Sequence, residues 1–73
     1  QETDLDAAFS NSIRLAMRGN LFAALDGLFD ILRQDKHFRK DRARTVSLSL
    51  LELVDPLGSQ TLEYRKELTH ILF

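Results

Sequence analysis

The stretch GNLFAALDGLFDILRQ, from Gly19 to Gln34, decides the fold. Its apolar side chains recur at the three- and four-residue spacing of one helical face. That face consists of Leu21, Ala24, Leu25, Leu28, Ile31 and Leu32. With Phe22 and Phe29 beside it, the apolar surface covers about half of the helix circumference, more than the roughly 100° stripe that packs against one neighbour. The stretch therefore predicts a helix that is packed on two sides.

Length and composition indicate one small globular unit. The chain has 73 residues, of which 44% are hydrophobic and 29% charged, and its net charge is −1 at pH 7. A chain of this length buries only about 60% of the surface that its unfolded form exposes, so every helix has to contribute to one core. The charge balance argues against disorder and against general attraction to nucleic acids.

Other properties of the composition limit the chemistry. Because the chain has no cysteine, disulfides and thiolate metal sites are excluded. Its apolar runs are too short for a membrane span or a signal peptide, so we expect a soluble, cytoplasmic protein. The chain begins at Gln1 rather than at a methionine, which suggests the C-terminal fragment of a longer protein.

A first helix is predicted before Gly19. Thr3 and Asp4 can cap its start, and Gly19 can adopt the left-handed conformation that ends helices. Asn20 can then cap the second helix. The inward side chains of the first helix are Leu5, Phe9, Ser12, Ile13 and Ala16. Because so short a turn joins the two helices, they must be antiparallel.

A third helix is predicted from Phe38 to Val54, after the turn Asp35-Lys36-His37. Its inward side chains are Ala43, Val46, Leu50, Leu53 and Val54, with Leu51 widening the stripe. Leu48 lies away from this stripe, so we expect it to be partly exposed. The sequence Asp55-Pro56-Leu57-Gly58 ends the helix, since proline disfavours a helical residue before it and glycine relaxes the backbone.

A fourth helix is predicted with Ser59 as its N-cap and Phe73 on the side opposite its apolar stripe. The stripe consists of Tyr64, Leu68, Ile71 and Leu72. The predicted fold class is therefore all-α. Residues 1–73 form one domain of four antiparallel helices, arranged as helical hairpins at about residues 4–35 and 38–73.

Helix pairs of this length resemble the tetratricopeptide repeat, a helix–turn–helix unit of 34 residues. Gly19 lies where the turn glycine of the repeat falls, and Ala24 where a small residue lets the two helices approach closely. Ser12 keeps a small residue at the corresponding point of the first helix, although Ala8 replaces the usual large aromatic. The second hairpin fits the repeat only in shape, as a terminal capping unit does.

From Arg18 onward the resemblance is more specific. The sequences RGNLFAALDGLFDILRQDKHFRKDRARTVSLSLLELV and LEYRKELTHILF resemble the C-terminal tetratricopeptide-like domain of the thioredoxin-like co-chaperones known as chaperedoxins. The family usually starts its last helix with a proline, whereas this chain has Ser59 there and Pro56 three residues earlier. The resemblance implies a binding module without cofactor, which holds unfolding polypeptides and works with chaperonins.

A basic cluster is the most conspicuous charge feature. It consists of Lys36, Arg39, Lys40, Arg42 and Arg44, with Asp41 among them. On a helix these side chains point in several directions, so a solvated patch with local ion pairs is favoured over an acidic protein partner. A nucleic-acid interface is disfavoured further, because no sequence-reading helix motif accompanies the cluster.

Other titratable groups give no catalytic or metal site. His37 and His70 have no carboxylates at a metal spacing around them, and we assign them to helix ends. Asp26 and Asp30 fall four residues apart on the wet face of the second helix, where we expect them to serve solubility. Phe29 and Tyr64 are expected in the core, whereas Phe73, Leu48 and Met17 fall off the main stripes.

The first hypothesis is therefore a non-enzymatic module that binds polypeptide clients or a chaperonin. Its candidate protein-binding residues are Phe22, Phe29, Lys36, Arg39, Lys40 and Phe73. A second hypothesis is a structural homo-oligomerisation domain for an attached redox domain, because a two-hairpin solenoid leaves an open end. A third, a small helical nucleic-acid binder, rests on the basic cluster alone.

Overall fold

A computed structural model describes residues 3–73 as four successive helices, with no strand in this range. The helices are α1 (Asp4–Met17), α2 (Leu21–Gln34), α3 (Phe38–Leu53) and α4 (Ser59–Leu72). The prediction of an all-α fold with four helices is confirmed. Gln1, on which the expectation of a longer parent chain depends, lies outside the described residues.

The start of α1 has the capping arrangement that its sequence predicts. Oγ1 of Thr3 accepts a hydrogen bond from the backbone N–H of Asp6 at 3.1 Å. The carboxylate of Asp6 accepts one from the backbone N–H of Thr3 at 3.0 Å. These reciprocal bonds satisfy two backbone donors that a helix start otherwise leaves without partners.

The turn between α1 and α2 follows the prediction at Gly19 but not at Asn20. Gly19 has φ +83°, which a residue without a side chain adopts readily. Asn20 is the N-cap residue of α2, yet its side chain makes no capping hydrogen bond. Its backbone angles, φ −88° and ψ 70°, lie outside the extended region in which a capping side chain reaches the first-turn amides.

Helix α2 is the centre of the molecule. Its fully buried side chains, each 0% exposed, are Ala24, Leu25, Leu28, Ile31 and Leu32. Phe29 is 2% exposed, while Leu21 and Phe22 are half-buried beside the same core. Because α1, α3 and α4 all contact α2, the prediction of a helix packed on more than one side is confirmed.

The second hairpin is paired more loosely than the first. Helix α4 contacts α2 more than it contacts α3, its partner in the hairpin. Both α3 and α4 therefore rest mainly on α2, which provides the large apolar face that neither of them has.

The first turn of α3 differs from the predicted regular helix. Arg39, Lys40 and Asp41 have φ values of +49°, +56° and +69°, so the backbone is left-handed before the regular helix continues. Such a conformation costs about 1–2 kcal/mol per non-glycine residue. Phe38, immediately before it, is buried at 6% exposure and ties this turn to the core.

One side chain of the predicted α3 stripe is misassigned. Leu53 is 71% exposed, whereas the buried residues after the left-handed turn, including the C-cap, are Ala43, Ser47, Leu50, Leu51 and Val54. At 3.6 residues per turn, Leu53 lies about 100° from the middle of that face. Ser47 lies on the buried face of the helix, but the prediction used only apolar residues and therefore left it out. Leu48 is partly exposed as predicted, at 43%.

Helix α4 begins one residue earlier than predicted. Gly58 is its N-cap and Ser59 its first residue, with no side-chain capping bond. Leu68 is buried, Tyr64, Ile71 and Leu72 are half-buried against the core, and Phe73 is 93% exposed. Thr61 is buried at 1% exposure and, like Ser47, its hydroxyl has no hydrogen-bond partner among residues 3–73.

Helices α1 and α2 approach each other closely at Gly27. A Cβ atom built on Gly27 would overlap Oγ of the buried Ser12 and would lie 3.6 Å from its Cβ. The overlap with Oγ is sterically forbidden, whereas 3.6 Å to the Cβ atom of Ser12 is an ordinary van der Waals contact. The hydroxyl of Ser12 therefore occupies the space that the missing side chain of Gly27 leaves.

We predict that Gly27→Ala destabilises the protein although it replaces glycine within a helix. At an open position the change would raise the free energy of unfolding by about 1 kcal/mol. Here the overlap with Ser12 should lower it by about 1–3 kcal/mol, as overpacking does. Urea denaturation followed by circular dichroism measures the difference.

The control is the same change in a Ser12→Ala background, where the overlapping oxygen is absent. In that background Gly27→Ala should be neutral or stabilising. If Gly27→Ala is stabilising in the wild-type chain, the close approach of α1 and α2 at this point is wrong.

Candidate functional site

A groove runs between α2 and α4 and encloses about 460 Å³. Its lining residues are Asp26, Phe29, Asp30, Arg33, Glu63, Tyr64 and Glu67. We call it the acidic groove. Its floor is aromatic, because the Tyr64 ring lies 5.7 Å from that of Phe29 and 5.0 Å from that of Phe22, centroid to centroid. Tilted ring pairs at these distances are favourable contacts, so the aromatic side chains also join α2 to α4.

One cation bridges the acidic groove. Nη1 of Arg33 lies 2.7 Å from the carboxylate of Asp30 on the same helix. Its Nη2 lies 3.3 Å from the carboxylate of Glu67 on α4. All three side chains are 44–71% exposed, so we attribute only about 0–1 kcal/mol to each pair.

Tyr64 and Asp26 form a second link across the acidic groove. The Tyr64 hydroxyl donates a hydrogen bond to Oδ1 of Asp26 at 2.6 Å. The pKa of Tyr64 is raised to about 12, chiefly by burial and then by the hydrogen bond to Asp26 and its negative charge. Asp26 therefore does more than solubilise α2, because it holds the side chain that forms the floor of the groove.

A smaller cavity of about 260 Å³ lies where the α2–α3 turn meets the end of α4. Its lining residues are Lys36, His37, Asp41, Arg44, Leu72 and Phe73, and we call this surface the basic end. Nδ1 of His37 lies 2.8 Å from Oδ1 of Asp41, a hydrogen bond that spans the left-handed turn. The basic end combines cationic side chains with the exposed aromatic ring of Phe73.

Arg39 is engaged within the fold. Its Nη2 lies 2.6 Å from Oδ1 of Asp6, and its guanidinium lies 5.9 Å and 5.5 Å from the ring centroids of Phe9 and Phe38. The pKa of Asp6 is lowered chiefly by the backbone N–H of Thr3, then by the hydrogen bonds from Arg39 and from the Thr3 hydroxyl and by the positive charge of Arg39. These contacts tie the first turn of α1 to the left-handed turn of α3.

The six residues predicted to bind protein therefore do not form one site. The buried Phe29 belongs to the core, as expected, and lines the floor of the acidic groove, whereas Phe22 does not line the groove but packs against Tyr64. Lys36 and Phe73 come together at the basic end. Arg39 contacts Asp6, and Lys40 is exposed in the left-handed turn.

Sequence reasoning missed the acidic side of the groove. Asp26 and Asp30 on α2, and Glu63 and Glu67 on α4, are two pairs of carboxylates at four-residue spacing that line one groove. Each pair is visible in the sequence, but nothing there shows that the two helices carry them to the same place. Within residues 3–73, the His, Asp and Glu side chains form no cluster of three able to hold a metal ion.

We predict that the phenol of Tyr64 titrates near pH 12 in the folded protein, against about 10 when unfolded. Because the folded state favours the protonated phenol, this contribution to stability is complete below pH 10 and is lost as the pH rises to 12. Ultraviolet absorbance measures the titration directly, since the chain has one tyrosine.

Asp26→Asn should lower this pKa while leaving it above 10, because burial is the larger cause. Asp30→Asn, in the same groove but with no hydrogen bond to the phenol, is the matched control and should leave the midpoint unchanged. A midpoint near 10 in the folded wild-type chain would contradict the Tyr64–Asp26 contact.

Comparison with known proteins agrees with this architecture. A family model described as "Tetratricopeptide repeat" matches residues 1–73. No curated protein and no solved structure gives a significant match. Repeats of this kind generally mediate protein–protein interactions and are generally non-catalytic.

No helix within residues 3–73 is both long and apolar enough to cross a membrane. With four packed helices and a family match over its whole length, this chain belongs to the tetratricopeptide repeat family.

Proposed function

We propose that the chain is a non-catalytic protein-interaction module of a cytoplasmic thioredoxin-like co-chaperone, and that it binds polypeptide clients or a chaperonin. Within a longer parent protein it would form one C-terminal domain of two hairpins, at about residues 4–35 and 38–73. Membership of a repeat family that generally binds proteins supports the interaction role. The resemblance of residues 18–54 and 62–73 to chaperedoxins motivates the co-chaperone role.

The observation that carries this proposal is the pair of surfaces that the helices leave open. The acidic groove offers an aromatic floor between two helices. The basic end offers Phe73, at 93% exposure, beside Lys36 and Arg44. An unfolding client would bury apolar side chains against these rings, while the surrounding charges set the rate of encounter more than the affinity.

We expect the chain to suppress the aggregation of a heat-unfolded client protein in a light-scattering assay. Phe73→Ser should weaken this protection, since it removes the most exposed aromatic ring at little cost to the core. Met17→Ser is the matched control, because Met17 is 83% exposed and lies at the α1–α2 turn, away from the lining of both surfaces.

No protection beyond that of an unrelated helical protein of equal mass would contradict the proposed function. Equal protection by wild type and Phe73→Ser would remove Phe73 from the client-binding surface and leave the acidic groove as the remaining candidate.

A specific observation also supports the second candidate, a homo-oligomerisation domain. Three leucines around the α3–α4 connection, Leu53, Leu57 and Leu62, are 71%, 88% and 49% exposed. Apolar side chains so placed are suited to stacking against another hairpin. A molar mass that stays at one chain over a hundredfold range of concentration in light scattering rules this candidate out.

A further inference from the structure

Charge is distributed unevenly along the acidic groove. Its lining carries four carboxylates and one guanidinium, a net charge of −3. Arg33 contacts Asp30 and Glu67, so one end of the groove has its own cation. At the other end, beside Tyr64, the carboxylates belong to Asp26 and Glu63. Glu63 pairs with Lys66 at 3.7 Å, and Lys66 is 73% exposed and does not line the groove.

The two carboxylate pairs are unfavourable for the helices that carry them. Like charges four residues apart on a helix destabilise it by a few tenths of a kcal/mol. Asp26 with Asp30, and Glu63 with Glu67, place two such pairs along the walls of one groove. At the Tyr64 end, no cation of the described residues lines the groove to offset this repulsion. A cation from a bound partner would reduce the repulsion there.

The aromatic floor suits the side chain of arginine or lysine. A cation above the face of an aromatic ring is attracted to it, and the aliphatic stem of such a side chain packs on apolar surface. Tyr64 is half-buried and stacked against Phe22 and Phe29, so its ring is held in place. Asp26 fixes the phenol oxygen by a 2.6 Å hydrogen bond and keeps a carboxylate beside the ring.

The size of the groove limits its occupant. From Asp26 to Arg33 the lining of α2 spans seven residues, about 10 Å along a helix. An extended polypeptide covers that distance with about three residues. A helix with its side chains is about 10–12 Å wide, as much as the whole length of this lining. The basic side chains on α3 of a second copy are carried by such a helix, so the groove favours an extended segment.

We propose that the acidic groove binds a short, extended, basic segment of a partner polypeptide and places an arginine or lysine side chain at its Tyr64 end. This inference rests on the proposed function and specifies the chemistry of the partner. The contacts would be the carboxylates of Asp26 and Glu63 and the ring of Tyr64. Arg33 lies at the opposite end of the groove, where its positive charge would repel a second cationic side chain.

The test measures the binding of two fluorescent nine-residue peptides to the 73-residue chain by anisotropy. One consists of three Arg-Leu-Ser repeats, and the other has glutamate in place of each arginine. The arginine peptide should bind more tightly, and its affinity should fall as the salt concentration rises from about 50 to 500 mM, since exposed charges are screened. Glu63→Lys should weaken its binding about 3- to 10-fold.

Glu52→Lys is the matched control, because it makes the same charge change at an exposed position of α3 outside the groove lining. It should leave the affinity for the arginine peptide within about twofold, as a distant screened charge does. Circular dichroism of both variants confirms that any change does not come from unfolding.

Equal binding of the two peptides, or equal effects of Glu63→Lys and Glu52→Lys, overturns the inference. The proposed function survives that result if the chain still protects an unfolding client, and fails with it if the client is not protected. Self-association that competes with the arginine peptide also overturns the inference, because it assigns the groove to a second copy.

Discussion

Burial of the apolar face of α2 is the constraint on which the rest of the structure depends. Five of its side chains are completely inaccessible to solvent, and every other helix rests on it. Domains are stable by only about 0.05–0.15 kcal/mol per residue, which is about 4–11 kcal/mol for a chain of this length. Replacing one buried leucine with alanine costs about 2–5 kcal/mol. A single side chain of α2, such as Leu25 or Leu28, therefore accounts for a large part of the total stability.

The same constraint creates the candidate site. Because α1, α3 and α4 all cover the apolar face of α2, the polar residues Asp26, Asp30 and Arg33 lie at the edge of that face, beside α4. Helix α4 rests on α2 through Tyr64 and Leu68, and its carboxylates then face those of α2 across the acidic groove. The aromatic contacts that attach α4 thus also form the floor of the acidic groove. In the proposed function, Tyr64 would therefore serve both stability and recognition.

The sequence predicted the parts of the fold that depend on a strong local pattern. The bounds of α2, the left-handed Gly19 and the break at Asp55–Gly58 follow from spacing and from backbone preferences. Leu53 was wrongly predicted to be buried because a wide apolar stripe does not show which of its residues lie at the middle of the buried face and which lie at its edge. The left-handed turn at Arg39–Asp41 had no signal, since none of its residues is glycine. The acidic groove depends on how α4 sits on α2, which is a tertiary relation, so the carboxylates of two separate helices could not be brought together from the sequence.

Amide hydrogen exchange in the native state tests the central role of α2 most directly, because it measures the opening free energy of each helix. The account predicts that the amides around Leu25, Leu28 and Leu32 exchange most slowly, at the rate of global unfolding. The amides of α4, which contacts α2 on one side and α3 only slightly, should exchange faster through a local opening. Slowest exchange in α4 or α1, with α2 exchanging as fast as the helix ends, would contradict the account.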